Sequence, residues 1–200
     1  MAVYRPAEAE TKPDVKYTGV VPVCLWNFTD RSSEFKWADI FLSVELDIKS
    51  SDYNRTLEIC GGLEKDSDGN ITGGYVLKRL YNLFDVLGFK GGVDVKGNWE
   101  DGDSKAIADI GQYLNERYQT GNPIMEPAYN HLAYLYKEQP KTPGGKAYTR
   151  VHHRLFLNNL DGQKKAEEYF HWMKTNGHLK EYTEVLPSNG AAQTVAVENL

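Results

Sequence analysis

Cysteine is nearly missing from this chain: Cys24 and Cys60 are the only two thiols among 200 residues, and no CxxC spacing occurs. Neither a disulfide framework nor a thiolate zinc site is indicated, and both thiols are expected to be free and buried. Long apolar runs are absent too, as is a basic-then-apolar leader, so neither a spanning helix nor a secretory route is expected. A cytoplasmic protein follows, in which the sequons at Asn27, Asn54 and Asn70 have no consequence. The sequence holds no Gly-rich phosphate loop, no Rossmann fingerprint and no Ser/His/Asp order. Positive charge is also short. Against 28 Asp/Glu stand 23 Lys/Arg, a net charge of −5, so the charge has to be read by region.

What is present is enough for one domain. Forty per cent apolar content over 200 residues supports a sizeable core. Residues 1–14 read as a flexible arm, 15–182 as the domain, and 183–200 as a flexible tail. Val15 to Phe28 is strand-like. Lys36 to Lys49 is the clearest strand, with Ala38, Ile40, Leu42, Val44, Leu46 and Ile48 on one parity facing the core. Trp37, Asp39, Phe41, Ser43, Glu45 and Asp47 fall on the solvent parity. Arg55 to Cys60 is its hairpin partner, and Ser67 to Asn70 is a turn. From Gly74 the period becomes helical, with Val76, Leu77, Leu80, Leu83, Phe84 and Leu87 in phase and Gly88 closing the helix. A second helix is expected over 104–118, capped by Asp103 or Ser104 and burying Ile107, Ile110 and Leu114. A third is expected over 163–175, with Ala166, Tyr169, Phe170 and Met173 on one stripe.

Between the last two helices lies a basic, aromatic hairpin over 129–157. Counted from Tyr129 to Lys165, seven Lys/Arg face two acids, a local +5 in an acidic chain. The second arm, from Tyr148 to Leu157, alternates strictly, which sets Val151, His153, Leu155 and Leu157 on the core face. Tyr148, Arg150, His152, Arg154 and Phe156 share the other face. Tyr134, Tyr136 and Lys137 come from the first arm, Lys141 and Lys146 from the Pro/Gly loop, and Trp37 from the long strand. Rings interleaved with cations suit single-stranded nucleic acid, whose bases stack on aromatics while cations track phosphates. These eleven residues are the candidate binding set. A hairpin with one ordinary solvated face is the duller reading.

Several strands, two helices, a long hairpin and a terminal helix point to a mainly β fold with helices. A small antiparallel barrel of the oligonucleotide-binding (OB) type, with a helical insertion and a C-terminal helix, fits that order. A split α+β sheet is the alternative. The combination Trp37-Ala38-Asp39-Ile40-Phe41, Tyr53-Asn54-Arg55, Val76-Leu77-Lys78-Arg79-Leu80, Tyr136-Lys137-Glu138 and Gly145-Lys146-Ala147-Tyr148-Thr149-Arg150-Val151 resembles single-stranded-DNA-binding proteins of tailed-bacteriophage replication modules. The resemblance spans roughly residues 16–180. It implies an OB barrel that coats single strands during phage replication or recombination in the host cytoplasm, without cofactor, metal or membrane. The partners it implies are single-stranded DNA or RNA, other replication or recombination proteins, and further copies of the chain. Such proteins often end in an acidic tail, whereas here Glu198 is the only acid after Glu184.

Two readings from other classes compete with a non-enzymatic binder. One is a structural or adaptor protein without a nucleic-acid ligand. The other is a metal-dependent nuclease, since Asp39 and Asp47-Ile48-Lys49 match the carboxylates and lysine of restriction-type sites on one strand parity, and Asp94-Val95-Lys96 repeats the short pattern. A calcium loop opening at Glu64 fails, because Tyr75 stands where the bidentate acid belongs. His152 and His153, adjacent on a strand, are expected to face opposite ways.

Overall fold

The computed structural model describes residues 18–49, 54–121, 126–138, 140, 142 and 145–182. The arm 1–14, the tail 183–200 and Lys141 lie outside the described residues. In chain order come β1 (Gly19–Asp30), β2 (Ile40–Ile48), β3 (Asn54–Gly61), β4 (Glu64–Lys65), β5 (Ile71–Gly73) and α1 (Tyr75–Leu87). They are followed by β6 (Gly92–Val93), β7 (Trp99–Glu100), α2 (Ile110–Tyr118), β8 (His131–Lys137), β9 (Thr149–Val151), β10 (Phe156–Leu157) and α3 (Leu160–Thr175).

All main-sheet pairings are antiparallel. The order β8-β1-β2-β3 is a Greek key, and β9 and β10 both pair with β8 as two pieces of an interrupted fifth strand. As β9 approaches β3, the sheet nearly closes on itself. The result is a five-stranded OB-like barrel. Between β3 and β8 the chain inserts α1, α2 and the small hairpins β4-β5 and β6-β7. Among the described residues no helix is long and apolar enough to cross a membrane.

Period-two burial builds the interior. Ile40, Leu42, Val44, Leu46 and Ile48 of β2 meet Leu57 and Ile59 of β3, Val21, Val23 and Leu25 of β1, and Ala133 and Leu135 of β8. One extra residue in β1 bends the barrel wall. Its register to β2 shifts between Trp26 and Thr29, where Asn27 takes a left-handed φ of 50°, and the shift turns Phe28 inward in place of the parity set by Leu25. The Asn115 side chain from α2 then accepts from the Phe28 N–H and donates to the Phe28 carbonyl, both at 2.7 Å, standing in for the missing strand partner. The helix α1 closes one mouth of the barrel with Val76, Leu80, Leu83 and Phe84, a stripe at helical spacing. Cys24 is buried as expected, and burial pushes its thiol up to about 11. Cys60 is only half-buried.

The second helix starts later than its periodicity predicts. Its N-cap is Asp109, which accepts from the Gln112 N–H, and not Asp103 or Ser104. Residues 101–105 instead form the third copy of a five-residue turn also found at 66–70 and 94–98. In each, the leading Asp accepts from the backbone N–H groups two and four residues on. The fourth position is left-handed in all three: Gly69 at φ 75°, Gly97 at φ 93° and Ser104 at φ 60°. Only Ser104 bears a Cβ there, which costs about 1–2 kcal/mol. Ser104→Gly is expected to stabilise the fold by about 0.5–1 kcal/mol after the extra unfolded-state freedom of Gly is subtracted. A urea titration of the two proteins measures this, and a Ser104→Gly protein that unfolds earlier contradicts it.

Candidate nucleic-acid interface

The face assigned to bases is not open to solvent. Its strand parity is as expected, but α3 lies across it and makes a second core from Leu132, Tyr134, Phe156, Ala166, Phe170 and Leu179. Tyr134 is 3% exposed, Phe156 7% and His152 5%. The Tyr134 ring stacks on Phe170 with centroids 4.1 Å apart, and its hydroxyl bonds the Glu181 carboxylate. The Lys174 ammonium lies 5.1 Å over the same ring and pairs with Glu181 at 3.1 Å. The apolar stripe of α3 needed a sheet face, and the outer face of β8 is the one it covers. That stripe was the signal in the sequence. The start of α3 is pressed so close that a Cβ on Gly162 would stand 1.9 Å from the Leu157 carbonyl oxygen.

The second arm is also not one continuous strand. Leu135 pairs with Val151 and Leu132 with Phe156, so five residues of the arm span what three span on β8. The two extra residues leave Val151 and Leu155 facing the barrel core as expected, but Leu157, expected on the same face, is exposed. Inside the bulge, however, the His152 and His153 rings come within 4.2 Å of each other, where a regular strand would send them to opposite faces. Arg154 is half-buried there, its guanidinium 4.4 Å over Tyr169 of α3.

At the other side of the barrel, described residues of two loops are exposed. In the β1-β2 loop, Trp37 is 61% exposed and lies 6.0 Å from Phe41, which in turn stacks on Phe35 at 4.4 Å. The Arg31 guanidinium sits 5.1 Å from Phe35 and 5.2 Å from Phe41. This cover explains why Phe41, expected on the solvent parity, is buried. In the β8-β9 connection, Tyr148 is 55% exposed with the Lys146 ammonium 5.7 Å over its ring. Arg150 donates to Glu138 at 2.8 Å, across a small cavity of about 260 Å³ that Lys146 and Tyr148 also line. The β1-β2 loop runs into the start of β2, where Ile40 and Phe41 pair with Gly61 and Cys60 of β3, and β9 approaches β3 from its other side, so the two loops flank that strand. Tyr136, the cross-strand partner of Arg150, and Lys137 are half-buried. Of the candidate set, the described residues therefore bring Trp37, Lys146, Tyr148 and Arg150 to the exposed loops, bury Tyr134, His152 and Phe156, and send Arg154 to the far side of β8. Arg31 and Phe35 join the loop surface without having been singled out by sequence, whereas Phe41, expected beside Trp37 on the solvent parity, lies buried beneath them.

The nuclease constellation does not assemble. Asp39 and Asp47 sit at opposite ends of β2, roughly 25 Å apart at strand rise, so one metal cannot meet both. Asp39 is held by Lys65 at 2.7 Å and by the Leu63 N–H, which keep its carboxyl below the usual range. Asp47 accepts from the Trp26 indole, and Lys49 lies 6.0 Å over the Tyr129 ring. Asp94 is spent on its turn. No group of three or more metal-ligating side chains occurs among the described residues.

Three histidines are held neutral. Burial pushes His131 down to about 4; burial aided by the charges of Arg79 and Arg154 pushes His153 to about 4, and these together with His153 push His152 to about 3. Their folded values lie below the ordinary 6.5, so between about pH 6.5 and 4 the unfolded chain takes up protons that the folded chain refuses, and stability falls as pH falls. The slope is about 1.4 kcal/mol per pH unit for each such histidine, above the window in which the carboxylates titrate. Urea midpoints at pH 6.5, 5.5 and 4.5 should drop along this slope, with His131→Gln removing one share. A flat profile from pH 6.5 to 5 contradicts it. Comparison of the chain with protein-family models, with curated proteins and with solved structures finds no match.

Proposed function

We propose that the protein binds single-stranded nucleic acid with low sequence preference, across β3 between the β1-β2 and β8-β9 loops, and that it acts as a non-enzymatic coat or organiser of single strands in DNA replication or recombination. The observation that supports this reading most is the pair of exposed rings, Trp37 beside the Phe35–Phe41 stack that Arg31 covers and Tyr148 under the Lys146 ammonium, on loops that OB barrels use for oligonucleotides. Bases stack on such rings for about 1–3 kcal/mol each. Glu58 and the ion pairs Arg31–Glu34 and Arg150–Glu138 oppose phosphate, but both pairs are solvent-exposed. Exposed pairs of this kind contribute about 0–1 kcal/mol, so a phosphate displaces the carboxylate at small cost.

Titration of fluorescent oligo-dT at two salt concentrations tests the reading. Affinity is expected to fall with salt at a log–log slope of about −0.7 per neutralised phosphate, and replacing Lys146 and Arg150 together by Ala should flatten the slope by about 1.4. Tyr148→Ala should weaken binding by about 1–3 kcal/mol while the melting temperature holds. Tyr134→Ala should instead cost stability, about 3–5 kcal/mol, with affinity per folded molecule retained. No binding even at low salt overturns the proposal and leaves the adaptor reading in its place.

A further inference from the structure

On the far side of β8, the bulge between β9 and β10 opens a cavity of about 490 Å³ under α1 and α3. That volume falls within the roughly 300–1,000 Å³ of small-molecule sites. Lys78 and Arg79 reach it from α1 and Arg154 from the bulge, and no carboxylate is among the residues that line it. Asp85 and Glu168 line the neighbouring depression instead. Neither Arg79 nor Arg154 has an ion-pair partner among the described residues, and the Arg79 Nε is buried without a hydrogen-bond acceptor. Its planar group rests 4.6 Å over Tyr75, as that of Arg154 rests over Tyr169. Trp172, stacked on His178 at 5.0 Å, forms an aromatic wall. His152 and His153 stay neutral beside these guanidiniums, so the charge around the bulge comes from Lys78, Arg79 and Arg154.

Unpaired guanidinium groups in a cavity lack what they are built to hold, a planar or tetrahedral oxyanion met by two N–H groups. We propose that this cavity binds a nucleotide-type ligand, an aromatic ring carrying phosphate, with Arg79, Arg154 and Lys78 on the phosphate and the ring against Trp172. The site is separate from the loop surface and does not rest on the single-strand reading. A free nucleotide and the phosphorylated end of a strand share this chemistry.

Calorimetric titration of the full chain with dTMP and with thymidine tests the site. We expect dTMP to bind and thymidine to bind at least about tenfold more weakly, since the charge-assisted contacts are lost. Arg79→Gln and Arg154→Gln should each weaken dTMP by about tenfold or more, whereas Arg150→Ala on the loop surface should leave it unchanged. Melting temperatures report folding of each variant, and in Arg79→Gln the titration of His152 and His153, followed by NMR, should move upward. Displacement of dTMP by 5′-phosphorylated oligo-dT but not by its 5′-hydroxyl form identifies a strand end as the ligand; displacement by neither identifies a free nucleotide. Equal displacement by both overturns the proposal, because the cavity is then part of a strand path. Absence of dTMP binding, or binding indifferent to both arginine variants in folded protein, overturns it as well. Failure of oligo-dT to bind at the loops would leave this test untouched.

Discussion

The stack of Tyr134 on Phe170 decides which surfaces of this barrel meet solvent. The outer face of β8 is as apolar as its inner face, a condition that leaves a sheet either buried on both sides or exposed to a costly extent. The helix α3 resolves it. Burying Tyr134, Phe156 and Phe170 contributes about 1.5–3 kcal/mol per side chain. Edge-to-face and offset ring contacts add about 0.5–1.5 kcal/mol for each pair. The Lys174–Glu181 pair and the hydroxyl of Tyr134 then fasten the segment that follows α3 against β8. With that face sealed, exposed rings remain in the β1-β2 and β8-β9 loops, at Trp37 and Tyr148, and on the helices, at Tyr75 and Trp172.

The bulge in the fifth strand depends on the same packing. Its two extra residues carry His152 under α3, where the ring meets Phe170 edge-on at 5.0 Å, and lift His153 and Arg154 toward α1. Because an even number is inserted, Val151 and Leu155 keep their places in the barrel core. The fold thereby gains a cavity between two helices without giving up the inner face. Bulges at barrel rims commonly re-aim side chains in this way.

Local periodicity carried much of this into the sequence. Ile40 to Ile48 alternate over a long run, so the inner face of β2, the helix α1 and the order that makes an OB-like barrel were all readable. What escaped depends on contacts distant in sequence. Phe41 and Ser43 sit on the solvent parity of β2 yet are buried, Phe41 because Phe35 folds back over it. Residues 101–105 look like a helix start until the identical Asp-led turns at 66–70 and 94–98 are compared with them. Trp37, Lys146, Tyr148 and Arg150 are exposed as their parity and their place beside the Pro/Gly loop suggested, because those are local patterns. Arg31 and Phe35 drew no attention in the sequence because it is the fold that brings them over Phe41. Tyr134, His152 and Phe156 were given to solvent because a strand's parity separates two faces without telling which one a later helix will cover.

Photocrosslinking with oligo-dT that carries 5-iodouracil, followed by peptide mapping, tests the central claim most directly. If α3 stays on β8 and the strand runs between the two loops, adducts will form at Trp37 and Tyr148. Adducts at Tyr134 or Phe156 would contradict the account, since they require α3 to leave the face it seals.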